Sequence, residues 1–241
     1  MIDRYALKAR LQPGLMALFP LLIGATALFG PGIKLPGILT AAAGAAGLTF
    51  LLGRLARNRG KQVEPALWKL WGGTPTTLLL RHTGPGNAVL RERWQKQLST
   101  LTGKALPTLA GEQKDPESAD AIYEAATRLL IGKTRDEKRF PFVYRDNVNY
   151  GFCRNLYGLK PVGIAFSLVA LAASGYVLWQ ATKAKTELFL PVSYLVMASG
   201  SVAFWSLVVT PAWVRIPAMN YAQHLFEALE ILKTQRAAKT K

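Results

Sequence analysis

The chemistry open to this chain is bounded by its rarest reactive side chains. His82 and His224 are the only histidines, and Cys153 is the only cysteine. One thiol can form neither an intramolecular disulfide nor a cysteine-based zinc site, and the histidines have no second ligand at metal-binding spacing. No metal and no cofactor is expected. A Ser–His–acid arrangement has no nucleophile elbow to present its serine. Glu112, Asp115, Glu117, Asp120 and Glu124 are close enough in sequence for a two-carboxylate site. Their spacing fits a capped helix with a solvated face better. These residues weigh against an enzyme.

Anion binding is the chemistry that the remaining residue types allow. The turns Trp71-Gly72-Gly73-Thr74-Pro75 and Thr83-Gly84-Pro85-Gly86-Asn87 carry glycine, but neither has the spacing of a nucleotide phosphate loop. The second precedes a helix start and has Arg81, His82, Arg91 and Arg93 beside it in sequence. That combination is a plausible anion seat, because helix N-terminal amides and cations attract negative charge together. Arg128, Lys133, Arg135, Lys138, Arg139 and Arg154 extend the basic set. A competing reading is a basic surface that faces anionic lipid headgroups. Nucleic acid has the charge and the aromatic residues it would need but no recognition motif, so it ranks low as a partner.

The elements that must position these residues follow from the distribution of charge. The chain has 241 residues, is 50% hydrophobic and carries a formal net charge of +16. Charges are sparse over 11–53 and 161–212 and dense elsewhere. Four apolar segments result, at about 14–29, 37–53, 162–181 and 188–211. Each of the first two would cover about 25 Å as helix, a little short of a ~30 Å hydrocarbon core, and Pro20 interrupts the first. The tight turn expected over Gly30–Pro36 would make them one hairpin. Thr182–Glu187 would join the longer third and fourth segments into a second. Tyr176, Trp179, Phe189, Tyr194, Trp205 and Trp213 are expected at headgroup depth, as an aromatic belt.

Small residues dominate the second segment. Thr40 with Gly44, and Ala43 with Gly47, form small-xxx-small pairs that let helix backbones approach closely. Packing against the first segment is the favoured reading, and a homo-oligomer seam the other. No segment contains Asp, Glu, Lys, Arg or His, which argues against a proton- or ion-coupled transporter.

The fold expected is a mainly α membrane protein, with two transmembrane hairpins flanking a small cytosolic domain. Its divisions are 1–54, 55–160, 161–212 and 213–241. Residues 54–160 hold 19 Lys/Arg against 10 Asp/Glu, whereas the two hairpin links carry a net of +1 each. The Lys/Arg bias therefore places both termini and the central domain in the cytoplasm of a cell inner membrane. Within that domain, 76–82 reads as a strand after Pro75. Asn87 caps a helix over 88–102 closed by Gly103, with Leu90, Trp94, Leu98 and Leu101 on its apolar stripe. Asp115-Pro116 starts a helix that buries Ile122, Ala125, Ala126 and Leu129. Phe140–Tyr144 reads as extended, with Asp146 capping a helix over 147–157. A last amphipathic helix begins at Pro217 and buries Ala222, Leu225, Phe226, Leu229 and Leu232.

These features predict a non-enzymatic, oligomerising membrane protein whose cytosolic domain docks a protein partner or an anionic ligand. Bacterial effectors or sensors of stress and anti-phage defence share this build, an analogy of architecture alone. A structural subunit of a larger membrane assembly, or a tethered enzyme acting on phosphate-bearing lipids or nucleotides, are the alternatives.

Overall fold

A computed structural model describes the backbone of residues 7–30 and 35–239, and the side chains of 7–30 and 42–233. The protein is helical throughout, with no strand among the described residues. A π-helical turn, Leu7–Leu11, leads into α1, Gln12–Phe29. Then come α2 (Leu35–Trp71), α3 (Pro75–Leu80), α4 (Ala88–Thr102), α5 (Leu109–Lys114) and α6 (Pro116–Lys133). The last four are α7 (Pro141–Gly158), α8 (Lys160–Ala184), α9 (Phe189–Ala203) with a π-helical extension Phe204–Val208, and α10 (Pro211–Lys239). Among the described residues, three stretches are long and apolar enough to cross a membrane: Leu7–Phe29, Lys160–Ala184 and Phe189–Val208. The expected segment at 37–53 forms the first part of α2, and the turn at 31–34 lies outside the described residues.

The chain divides into two compact units, Met1–Glu64 with Gly151–Val214, and Pro65–Tyr150 with Arg215–Lys241. In the first, α8 packs on both α1 and α9. Small residues make this possible. A Cβ on Gly24 of α1 would lie 3.1 Å from the Cα of Ala170 on α8. Ser167 of α8 donates to its own helix at Gly163 O and shares a 2.8 Å hydrogen bond with Ser201 of α9. Trp205, expected in the aromatic belt, is instead buried, its ring lying on Gly163. The glycine leaves a flat site on α8, and filling it with an indole removes more apolar surface from water than headgroup depth would. Where the chain leaves the π-helical extension, Lys160 Nζ donates to the freed carbonyls of Ser206 and Val209.

The second unit has one core, formed by Leu80, Trp94, Leu98, Tyr123, Leu130, Phe140 and Val143 with Ala222, Leu225, Phe226 and Leu229 of α10. Trp94 and Phe226 meet with ring centroids 5.3 Å apart. Local signals set several ends. Asn87 accepts from the amides of Val89 and Leu90, Gly103 closes α4 with φ +69°, and Asp115 accepts from Ser118 N.

Four local expectations are corrected. The strand over 76–82 is the helix α3: Thr74 caps it by accepting from Thr77 N, Pro75 opens it, and Thr77–Leu80 are buried together. A short run buried on all sides carries no period that separates strand from helix. Phe140–Tyr144 is not extended, because Pro141 opens α7 and places Asp146 inside the helix, not at its cap. The buried face of α6 is Ala119, Tyr123, Ala126 and Leu130, while Ile122, Ala125 and Leu129 are exposed. Tyr123 turns the helix, since its hydroxyl has a buried carboxylate to reach. Finally, α10 starts at Pro211 and runs through Pro217.

Candidate functional site

In the second unit, the loop between α3 and α4 is held by two arginines. Arg81 makes a two-pronged pair with Asp120 of α6, Nε to Oδ1 at 2.9 Å and Nη2 to Oδ2 at 2.5 Å, and donates to Gly72 O at 2.7 Å. The Asp120 hydrogen bond raises the pKa of Arg81. Arg91 is buried, and its Nη groups donate to the carbonyls of His82 (2.8 Å) and Gly84 (2.6 Å). Gln95 adds a bond to Leu80 O. The anion seat read from the sequence therefore faces inward: the loop presents carbonyls to Arg91, and the guanidinium donors go to backbone oxygens.

Glu112 lies beneath that loop, buried, accepting from His82 N at 3.0 Å and from the Tyr123 hydroxyl at 2.8 Å. Burial first, and the Glu112 hydrogen bond second, push the Tyr123 phenol up from its ordinary value. The His82 ring meets Pro107 O at 2.9 Å. In the sequence Glu112 stood out only as one of five clustered carboxylates and Tyr123 not at all, because their partners are distant in the chain.

The second histidine forms a separate pair. His224 Nδ1 lies 2.6 Å from Oδ2 of buried Asp146, with Phe142 stacked on the ring. A carboxylate at Nδ1 would orient an imidazole for proton transfer. Its other nitrogen, however, faces Glu227 Oε2 at 3.7 Å. That environment fastens α7 to α10. No group of three or more His, Cys, Asp or Glu side chains among the described residues could hold a metal ion.

Apart from Arg154, the remaining candidate cations are on the surface. Arg93 pairs with Glu230 at 2.7 Å, and Arg128 with Glu124 at 3.7 Å along α6. Lys133, Arg135, Lys138 and Arg139 are exposed at and just beyond the end of α6. Arg139 rests over the Phe140 ring. Asp136 in the same loop accepts from the amides of Lys138 and Arg139, so it shapes the loop.

Arg154 belongs to the first unit and is internal. Its Nη1 donates to Glu64 Oε1 at 2.6 Å, while Nε and Nη2 donate to Asn155 Oδ1. Asn155 Nδ2 donates in turn to Ala9 O at 2.6 Å. Gly60 and Gly158 let α2 and α7 approach there: a Cβ on Gly158 would lie 2.6 Å from Gly60 N. Of the expected packing residues, Ala43, Gly44 and Gly47 are exposed, with no neighbour within 4 Å of a Cβ built on either glycine. Thr40 lies outside the described side chains. The structure thus brings Arg81, His82 and Arg91 together, sets Arg93 on another face, and places Arg154 in the other unit.

Comparison with protein-family models, curated proteins and solved structures gives no match. The architecture and site define the class only as far as a helical protein with membrane-length helices and a basic unit built on internal arginine networks.

Proposed function

We propose that the chain is a multi-pass inner-membrane protein whose second unit lies on the cytoplasmic side and docks onto anionic surfaces. Four spans are read, the three membrane-length helices and the α2 segment at 37–53. The Lys/Arg bias orients them with both termini inside. The observation that carries the docking reading is the division among the cations of the second unit. Arg81 and Arg91 are committed to internal oxygens, whereas Lys133, Arg135, Lys138 and Arg139 are exposed within seven residues of one another. Clustered exposed cations contribute about 1 kcal/mol each next to an anionic membrane surface.

The test uses the full chain in phosphatidylcholine nanodiscs, co-floated with vesicles. Vesicles that contain phosphatidylglycerol should capture the protein, and pure phosphatidylcholine vesicles should not. Replacing Lys133, Arg135 and Lys138 by glutamine removes about 3 kcal/mol, so capture should weaken by about 100-fold. Capture that survives this triple replacement, or that ignores salt, overturns the reading. Reporter tags after Lys34 and Lys183 check the topology: both should be external.

A further inference from the structure

In the second unit, the His224 ring is fixed on one side and open on the other. Nδ1 lies 2.6 Å from Oδ2 of Asp146, and Phe142 stacks on the ring. A carboxylate only accepts, so Nδ1 carries the hydrogen and Nε2 presents a lone pair. That lone pair faces Oε2 of Glu227, one turn along α10 and 3.7 Å away, too far for a hydrogen bond. Gln223 Nε2 donates to Oε1 of the same carboxylate at 2.9 Å and turns Oε2 toward the ring. Two electron-pair donors therefore face each other, each oriented by a partner behind it. Arg145 meets Asp146 at Oδ1, the oxygen that His224 does not use. Asp146 is buried, whereas the side chains of His224 and Glu227 are 30% and 46% exposed, which leaves the space before them open to water.

We propose that His224 Nε2 and Glu227 Oε2 bind one divalent transition-metal ion such as zinc, with water in its remaining positions and Asp146 positioning the imidazole. Zinc bonds of about 2.1 Å to each atom would subtend roughly 125° across the 3.7 Å gap. Closing to the tetrahedral angle of about 109° needs a shift of about 0.3 Å, within reach of the half-exposed Glu227 side chain. A histidine and a carboxylate three residues apart on one helix face are a recurring metal-ligand pair, and a carboxylate behind the imidazole raises its basicity. The nitrogen ligand selects against magnesium and calcium, which take oxygen donors. Two protein ligands make an open, exchanging site. The rest of the chain competes little for such an ion: the His82 ring is engaged with Pro107 O, and Cys153 is buried. The inference does not depend on vesicle docking, because it uses none of the cations at the end of α6.

The experiment titrates zinc chloride into the full chain in phosphatidylcholine nanodiscs at about pH 8, where a free imidazole is a ligand. Calorimetry should show one saturable site. Mass spectrometry after diethyl pyrocarbonate treatment should show zinc protecting His224 from acylation. Asp146→Asn should weaken binding about 10–100-fold, the cost of losing an orienting partner, and Glu227→Gln should weaken it at least as much. His224→Gln should abolish the site. Melting temperatures without metal check each variant. Glu227 is exposed, so Glu227→Gln carries the test if the other two misfold. Magnesium or calcium in about 100-fold excess should not displace zinc. No saturable binding up to about 1 mM zinc would overturn the proposal. So would equal affinity in His224→Gln or Glu227→Gln, or displacement by calcium. A His224 that resists acylation without metal and takes no zinc would be an imidazolium clamped between the two carboxylates, which also overturns it. Capture by phosphatidylglycerol vesicles that persists while zinc binding fails separates this inference from the docking reading.

Discussion

Replacing Gly163 by alanine probes a close contact between helices of the first unit. A Cβ there would lie 2.2, 2.3 and 2.5 Å from Cε2, Cδ2 and Cζ2 of Trp205. Ordinary carbon contacts begin near 3.4 Å. The indole would have to retreat by more than about 1 Å, yet it is only 1% exposed and held edge-on by Phe204. Overpacking of this kind costs about 1–3 kcal/mol, and more when the neighbour cannot move. Against it stands the better helix propensity of alanine, about 1 kcal/mol. The net expectation for G163A is destabilisation by about 1–2 kcal/mol. Removing the ring changes the sign. W205A alone should cost about 3–5 kcal/mol for the lost contacts and cavity. In that background G163A meets no ring, only the propensity gain remains, and the double variant should be up to about 1 kcal/mol more stable than W205A. The two sites therefore couple by about 2 kcal/mol in a double-mutant cycle. Far-UV circular dichroism of denaturant unfolding in detergent micelles measures all four proteins. Additive costs, with G163A equally harmful on both backgrounds, would refute the contact.

Three further outcomes follow from other parts of the molecule. Arg154→Met removes the charge that Glu64 faces and should cost about 3 kcal/mol or more, whereas adding Glu64→Met should recover much of it; the same unfolding assay decides, and a double variant as unstable as the single one would contradict the pairing. Tyr123→Phe should cost about 1–3 kcal/mol by removing a buried donor to Glu112. The folded-state pKa of Tyr123 is raised, so its contribution is complete below the unfolded value of about 10 and is lost as pH rises toward the higher folded value. Stability measured through the alkaline range should fall more steeply in the native sequence than in Y123F, and parallel curves would exclude this linkage. Burial pushes the Cys153 thiol up to about 12, so iodoacetamide should leave it unmodified in the folded protein and label it after denaturation; rapid native labelling would show the site to be open.

The legible parts of this fold are those decided within a few residues. Asn87 and Gly103 bound α4, and Asp115-Pro116 opens α6, because capping groups lie beside the amides they satisfy. The apolar spacing of Ala222, Leu225, Phe226 and Leu229 gave the inner face of α10 for the same reason. What stayed hidden depends on partners far along the chain. Tyr123 turns α6 inward toward Glu112, and hydropathy alone favours Ile122 and Leu129 for that place. Gly60 and Gly158 look like helix-weakening residues until the backbones of α2 and α7 are seen to touch there. The signal in reach was Arg154-Asn155, two strongly polar residues in an otherwise aromatic stretch, which implies a buried acceptor nearby. The candidate site was legible only as a set of cations, and sequence does not separate those that build the interior from those that face out.

Residue chemistry offers a rule for that separation. The candidate cations with buried or half-buried internal partners, Arg81, Arg91 and Arg154, are all arginines. Each uses several donors of one planar guanidinium at once: two carboxylate oxygens and a carbonyl for Arg81, loop carbonyls for Arg91, a carboxylate and an amide oxygen for Arg154. An ammonium ion matches such planar sets poorly, because its three donors surround a single point and its hydration is costlier to remove; Lys160, which donates to two carbonyls, is only half-buried. Lysine is therefore a poor substitute inside and an inexpensive one outside. Lys96, Lys133, Lys138 and Lys233 are all exposed. Charge-neutralising one of these four lysines should test binding while sparing the fold, whereas neutralising Arg81, Arg91 or Arg154 tests folding first. A screen for the ligand of this protein should start with the lysines, and a loss of binding from the buried arginines should be read as a loss of structure until melting temperatures show otherwise.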